Sequence, residues 1–397
     1  MGKYDKIEIQ HICLNICSGG TPKSTVTEYY GGNIPWLNTK EINFCRIYET
    51  ERTITDEGLN NSSAKWVPAN TVIVAMYGAT AGKTAIAKIP LTTNQACCNL
   101  NIDSAKADYR FVYYALYNDY AYLASLANGG AQQNLNAQQI KEFEIPFPPL
   151  KEQKRIADIL SSLDDKIELN RRINGNLEQQ AQALFKAWFV DFEPFKSGKF
   201  VDSELGRIPE GWKVVELGKA TTQEKEKVGI RSDVKVLSPV TTGKLMLSEE
   251  YFTKQVFSDS IAKYILVKPN SFAYNPARVN IGSMGRNTFM FDGCVSPVYV
   301  VFSCEKEYHY FFDMYRQLPS FKEEVIARSI GGVRQTLKYS DFALIQIIYP
   351  PQNVVIQFND LYERLLYAQN MFHAESKNLA EIRDSLLPQL MSGEINM

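Results

Sequence analysis

Histidine is scarce in this chain, with only 3 among 397 residues, and no Ser/His/Asp set or paired-carboxylate pattern accompanies it. Little is therefore available from which to build a hydrolytic or acid–base active site. No apolar run approaches the roughly 18–20 residues that cross a bilayer, so no membrane association is expected. The opening Met1-Gly-Lys-Tyr-Asp-Lys6 lacks the apolar stretch of a secretory signal. The 7 cysteines follow no framework spacing, which suits reduced thiols and a cytoplasmic protein. The one metal-like group, His11-x-Cys13 with Cys17, has no second ligand pair at zinc spacing and reads as packed strand residues, with no metal. A basic surplus is missing too: the net charge is −1 and the pI about 6.4. Any nucleic-acid binding must use local basic patches or share its electrostatics with partners. What is present is ordinary globular composition, 45% hydrophobic and 22% charged, in a length sufficient for two or three domains.

Residues 77–86, YGATAGKTAI, look like a phosphate-binding loop. A Walker A loop needs Gly, four residues, then Gly-Lys-Ser/Thr, so that successive backbone N–H groups wrap the phosphates. Here Tyr77 occupies the first glycine position and Gly78 comes one residue late. Val72-Ile-Val-Ala-Met76 reads as the preceding strand, but Pro90 follows too soon after Thr84 for the helix that a phosphate requires. The stretch reads as a glycine-rich hairpin tip carrying Lys83, and no nucleotide cofactor is expected.

The chain repeats itself. Setting GGAQQNLNAQQIKEFEIPFPP (129–149) against GGVRQTLKYSDFALIQIIYPP (331–351) gives seven identities in 21 ungapped positions. Chance would give about one. Upstream, Val67-Pro-Ala-Asn70-Thr71 matches Val267-Lys-Pro-Asn270-Ser271, and Tyr109-Arg-Phe-Val-Tyr matches Tyr308-His-Tyr-Phe-Phe. In each half about 150 residues of short strands, turns and some helix end at a Pro-Pro pair, and a heptad pattern follows. The first seam steps through Ile156, Leu160, Leu163, Ile167, Asn170, Asn174, Leu177, Ala181, Leu184 and Trp188. The second steps through Leu361, Leu365, Ala368, Phe372, Glu375, Leu379, Ile382 and Leu386. Helices of ~35 residues reach roughly 50 Å. Pairing them antiparallel within the chain is the economical way to bury both stripes, with the globular parts held at opposite ends. The expected division is 1–150 globular, 151–190 helix, 191–209 linker, 210–350 globular and 351–393 helix.

This plan resembles the specificity (S) subunit of type I restriction–modification enzymes, and the resemblance covers essentially the whole chain. It is carried by the paired GG-x-x-Q-x-L…PP segments, Ile34-Pro-Trp-Leu, EGWKVVELG opening the second half, and the closing LLPQLMSGEI. The resemblance implies an α+β fold of two duplicated target recognition domains, each followed by a long helix, the helices pairing as an antiparallel coiled coil. It implies a subunit without catalysis or cofactor, reading one half of a split double-stranded DNA target with each domain. Its partners would be two methyltransferase (M) subunits, which flip and modify an adenine, and restriction/motor (R) subunits.

Candidate DNA contacts are polar or basic side chains at turns. Gln132, Gln133 and Asn134, with Arg334 and Gln335 in the second half, suit adenine and guanine edges. Lys23, Lys83, Lys244, Arg278, Arg286 and Lys338 lie in turn-like stretches and suit phosphates or guanine. The aromatics of 109–123 recur at helical spacing and read as core rather than as a stacking platform. Two rivals stand beside this reading. A fused restriction–methyltransferase would need a cofactor loop, and Asn275-Pro-Ala-Arg278 resembles an amino-methyltransferase motif without its second proline and aromatic. A protein-binding scaffold would show no salt-dependent affinity for DNA.

Overall fold

A computed structural model describes residues 4–127, 134–252, 254–255, 257–329 and 336–395. The chain divides into two compact units, Met1–Arg172 with Phe372–Met397, and Ile173–Met371. Both boundaries fall inside long helices, Leu150–Phe189 and Gln352–Ser392.

In the first unit a five-stranded sheet runs in the order Cys13–Ser18, Cys97–Ile102, Val72–Ala75, Thr84–Ala87, Cys45–Ile47. All neighbours are antiparallel except the last pair. A second sheet orders Arg52–Ile54, Tyr30–Leu37, Leu91–Thr93 and Trp66–Val67, with its central pair parallel. Lys6–Glu8 pairs with Glu144–Pro146.

The second unit repeats this plan. Its main sheet runs Thr221–Glu224, Val300–Cys304, Phe272–Tyr274, Met284–Arg286, with no counterpart of the fifth strand among the described residues. Its other sheet orders Leu245–Leu247, Lys235–Pro239, Gly293–Val295 and Ile265–Val267, and here too the central pair is parallel. Lys213–Glu216 pairs with Gln346–Tyr349.

The repetition reaches single hydrogen bonds. Asn70 and Asn270 both adopt positive φ, +69° and +66°, a region that asparagine tolerates better than most residues. Asn70 N donates to Ala87 O (2.6 Å) and Asn270 N to Asn287 O (2.9 Å). Ala87 N returns to Thr71 O (3.0 Å), as Asn287 N does to Ser271 O (2.8 Å). The shared asparagine thus closes one end of the same hairpin in both halves.

Prolines start the long helices, where a missing N–H costs nothing. Pro149 O accepts from Glu152 N and Gln153 N, and Pro351 O from Val354 N and Val355 N. In the first unit, Ile156, Ala157 and Leu160 of the first helix meet Leu387, Leu390 and Met391 of the second in one core with Phe111, Tyr113 and Tyr114. Asp164 pairs with Arg383 (2.6 Å), and Asn170 donates to Glu375 (2.7 Å). First-helix numbers rise as second-helix numbers fall, so the pairing is antiparallel. In the second unit, Ala181, Phe185 and Phe189 share a core with Val355, Phe358 and Tyr362, and Gln369 donates to Asn174 O (3.3 Å).

The first seam lies where the heptads put it, every member buried or half-buried. The second needs correction. Leu365, Phe372 and Leu379 face inward, but Leu361, Glu375 and Ile382 are exposed, and Tyr362, Gln369, Ser376 and Arg383 take the inward places. Three of those four are polar, so an apolar-periodicity reading slid one residue along the helix.

The stretch 191–209, expected as a linker, holds a 3-10 turn Glu193–Phe195 and a hairpin of Phe200–Ser203 with Gly206–Pro209. Phe192 and Ile208 belong to the second unit's core. Among the described residues no helix is long and apolar enough to cross a membrane.

The Phe185 ring lies 4.9–5.8 Å from those of Phe189, Phe311 and Phe358. Phe185→Ala is expected to lower stability by about 3–5 kcal/mol through cavity formation. Tyr367→Ala, on an exposed helix face, should change it by no more than ~0.5 kcal/mol. Urea denaturation of both variants makes the comparison.

Candidate nucleic-acid interface

The glycine-rich stretch is a hairpin turn. Val72–Ala75 leads into residues 76–83, and Thr84–Ala87 returns antiparallel. Gly78 and Gly82 have φ of +73° and +83°, where a Cβ would strain the backbone. No helix follows: the next element is the strand Leu91–Thr93. Thr84, the residue that would hold a metal in a phosphate loop, is fully buried within its strand. The turn cannot wrap a phosphate chain in the Walker manner. The second half keeps the left-handed glycine and changes the side chain that follows it: Gly282 has φ +93°, and Ser283 stands at the position of Lys83. Ala75 N donates to Lys83 O (2.9 Å), and Asn275 N likewise to Ser283 O (3.0 Å).

Strand direction decides what accompanies these turns. In the first unit the strands finishing at Ser18 and Ala75 and those beginning at Cys97, Thr84 and Cys45 all meet one end of the main sheet. That end therefore carries the loops with Lys23, Asn43 and Lys83. Asn134 joins them, bridged to Tyr77, with Leu135 N donating to Met76 O (2.8 Å). In the second unit the strands finishing at Glu224 and Tyr274 and those beginning at Val300 and Met284 meet in the same way. Leu337 N donates to Pro276 O (3.1 Å), which puts exposed Lys338 beside the turn bearing exposed Arg278. Exposed Lys244 rides on a turn packed against Gly282, where an added Cβ would lie 2.8 Å from Thr241 O. Among the described residues, Lys23, Lys83 and Asn134 of the first half, and Lys244, Arg278 and Lys338 of the second, thus gather at one sheet end.

Four of them, Gln132, Gln133, Arg334 and Gln335, lie outside the described residues. Arg286 requires correction. It sits in the strand Met284–Arg286, buried, donating to Asp313 Oδ2 (2.8 Å) and Asn270 Oδ1 (2.6 Å). Burial opposes the charge on Asp313, but Arg316 and Arg286 beside it outweigh that and hold its carboxyl below the usual range. An arginine so engaged is a structural strut. It looked like a turn residue because Gly282 precedes, and Gly285 lies within, a strand of only three residues.

Sequence reasoning missed Asn43 and Tyr77 in the first unit and exposed Lys225 and Lys227 in the second. The two lysines belong to the alternating run Gln223-Glu-Lys-Glu-Lys227, which reads as an ordinary solvated strand. Only the sheet topology shows that the strand leaves toward the same end as Arg278.

Other candidates take structural roles. Phe111, Tyr113 and Tyr114 are buried in the first core, as their helical spacing indicated. Asn275 spends its side chain on its own turn, accepting from Ala277 N (3.0 Å). His11 lies in a 3-10 turn and faces Glu8, while burial pushes the Cys13 thiol up to about 12. Among the described residues no group of three or more His, Cys, Asp or Glu is placed to hold a metal ion.

One α/β body built twice, each with a paired-helix segment and with polar and basic side chains on the loops of one sheet end, defines a duplicated recognition subunit. Comparisons with known proteins place it further. The family described as "Type I restriction modification DNA specificity domain" matches residues 1–179. The type I restriction enzyme MjaIX specificity subunit of Methanocaldococcus jannaschii is 32% identical over 96% of this chain and 91% of that protein. The HindI specificity subunit of Haemophilus influenzae is 25% identical over 70% of this chain and 74% of its own length. In fold, the crystal structure of a type I restriction–modification S subunit from M. genitalium aligns with a TM-score of 0.57, over 98% of this chain and 96% of that one, at 18% identity. The chain belongs to the specificity subunits of type I restriction–modification enzymes, in which it is the specificity component and not a catalyst.

Arg286→Ala should cost on the order of 2–3 kcal/mol, short of the ~3–5 of a fully stripped buried pair because Arg316 still faces Asp313. Since the Asp313 carboxyl is held low, its contribution is complete above about pH 4 and is lost as pH falls through the lowered native value. Exposed Lys244→Ala should leave stability within ~0.5 kcal/mol. Denaturation curves at neutral and acid pH check both.

Proposed function

We propose that the loops at the sheet end of each unit read one half of a bipartite double-stranded DNA target. The recognition domains span residues 1–150 and 210–350. The helices, 151–190 and 351–393, carry two methyltransferase subunits, to which restriction/motor subunits add. The single observation that carries this is the duplicated hairpin: both units close it with equivalent backbone bonds at Asn70 and Asn270 and at residues 75/83 and 275/283, yet the first places Lys83 at its turn where the second buries Ser283. A shared scaffold whose turns carry different side chains suits two different half-sites, because phosphate contacts set position and side chains at base edges set sequence. Lys23, Lys83 and Asn134 serve the first half-site, and Lys244, Arg278 and Lys338 the second. Gln132, Gln133, Arg334 and Gln335, close to Asn134 and Lys338 in sequence, are assigned to the same half-sites. The net charge of −1 means that partner subunits supply much of the attraction for DNA. The complex works in the cytoplasm, where the chromosome is its substrate.

The test is modular exchange. Replacing residues 1–150 by the matching domain of a relative should change one half of the methylated motif and leave the other intact. Adenine-methylation sequencing in cells reads the result, and a change in both halves would refute independent reading.

Helix length provides a second test. Inserting four residues after Arg172 and four after Met371 adds close to a whole turn to each helix, ~6 Å long and only ~40° out of register. With ~3.4 Å per base pair, the gap between half-sites should lengthen by about one to two base pairs while both half-sites keep their sequence. Inserting two residues instead rotates the seam by ~200° and should abolish activity. An active four-residue variant with the original gap would show that these helices do not set the spacing.

A further inference from the structure

Lys83 is anchored on its turn. Its Nζ donates to Asn43 Oδ1 at 2.8 Å, across 40 positions of sequence. Asn43 is exposed and immediately precedes Phe44, which enters the edge strand Cys45–Ile47. Phe44 has φ +51°, a conformation that a bulky L residue holds only where its surroundings impose it. Those surroundings are specific. The Phe44 ring stacks on Tyr117 with centroids 4.3 Å apart and planes at 17°, and meets Tyr120 edge-on at 5.0 Å.

The other side of Tyr117 belongs to the paired helices of the same unit. The Arg383 guanidinium lies 5.2 Å from the Tyr117 ring centroid and donates to its hydroxyl at 3.1 Å. Arg383 also donates to Asp164 Oδ1 at 2.6 Å, and Asp164 accepts from Tyr114 at 2.5 Å. A contiguous chain of contacts therefore runs from Asp164 and Arg383 through Tyr117 and Phe44 to Asn43 and Lys83. An exposed amide–ammonium bond adds little to stability by itself. What it does is fix where a flexible four-carbon side chain points.

The second unit solves the same problem differently. Ser283 stands where Lys83 would be and donates inward to Pro239 O (2.6 Å). Arg316, aligned with Tyr117 at the offset that relates Tyr109 to Tyr308, donates straight to Met284 O (2.9 Å) beside the turn. The end of this helix thus supports the turn in both units, through Phe44 and Asn43 in the first and directly from Arg316 in the second. Only the first carries the support out to a cationic tip.

We propose that Asn43 is a positioning residue for Lys83, and that Phe44, held against Tyr117, sets where Asn43 stands. The proposal rests on the reading that the Lys83 turn touches DNA. The full chain assembled with its methyltransferase partner is assayed for binding to a short duplex carrying the methylated site, over a range of salt. The proteins are the parent, Lys83→Ala, Asn43→Ala, the double variant and Phe44→Leu. Lys83→Ala should weaken binding roughly 5- to 10-fold and reduce the salt slope by about one. Asn43→Ala should weaken it roughly 3-fold in the parent and not at all in the Lys83→Ala background, a coupling that a merely structural role would not produce. Phe44→Leu should behave like Asn43→Ala, and the melting temperature of Asn43→Ala should match the parent. If Asn43→Ala has no effect, or costs the same factor in both backgrounds, the positioning role is wrong while the DNA reading stands. If Lys83→Ala leaves affinity and slope unchanged, the turn does not touch DNA, and both ideas fall.

Discussion

Neither globular body completes its core from its own stretch of sequence, and the rest of the structure follows from how that shortfall is met. The first unit buries Leu387, Leu390 and Met391, from the far end of the chain, among Phe111, Val112, Ile156 and Leu160. The second buries Ala181, Phe185 and Phe189, at the end of the first helix, among Phe311, Phe358 and Trp212. Each unit thus needs one helix beginning and one helix end, and the two must run antiparallel to arrive together. Burying three such side chains is worth several kcal/mol at about 1.5–3 kcal/mol each. That is a large share of a typical domain's net stability. The helix pair is part of both cores before it is anything else.

The seam itself is uneven. Its apolar members supply burial, while Asn170, Gln369, Ser376 and Arg383 supply register. Asn170 is fully buried and donates to both Glu375 and Ser376. Sliding the helices by a turn would leave these groups and the Asp164–Arg383 pair without partners, a penalty of several kcal/mol. Polar seam residues commonly trade stability for a single alignment in this way. The same trade hid the second stripe. With Gln369, Ser376 and Arg383 on the inward face, the apolar count favoured Leu361 and Ile382, which are exposed. The first stripe was legible because its buried polar members, both asparagines, sit between strongly apolar neighbours.

Other parts of the architecture were readable to differing depth. The duplication was plain from 21 aligned positions, and the fold bears it out to the left-handed Asn70 and Asn270. The two Pro-Pro pairs marked the helix starts because proline's fixed φ and missing N–H fit that place. The assembly of the sheet end was not legible. Lys23, Asn43 and Lys83 meet through strand order, with Cys13–Ser18 beside Cys97–Ile102 and Cys45–Ile47 joining parallel at the edge. No local pattern encodes which strands become neighbours. Phe44 shows the limit most clearly: its positive φ depends on Tyr117, Tyr117 on Arg383, and Arg383 on a helix more than 330 residues downstream.

Arginine use ties the fold to the binding reading. Arg46, Arg110 and Arg383 pair with carboxylates on the paired helices of the first unit, and Arg286 and Arg316 converge on Asp313 in the second. Planar, bidentate guanidinium suits such enclosed geometry better than a hydrated ammonium does. The consequence is a division of labour. Much of the arginine is spent holding strands and helices together, and among the described residues the cations left at the sheet ends are mostly lysines, with Arg278 beside them. Lysine contributes a mobile point charge, so it supports position on a phosphate backbone more than choice of base. Sequence choice in such an interface must then come from side chains with fixed direction. A lysine becomes one of these only where something like Asn43 holds it.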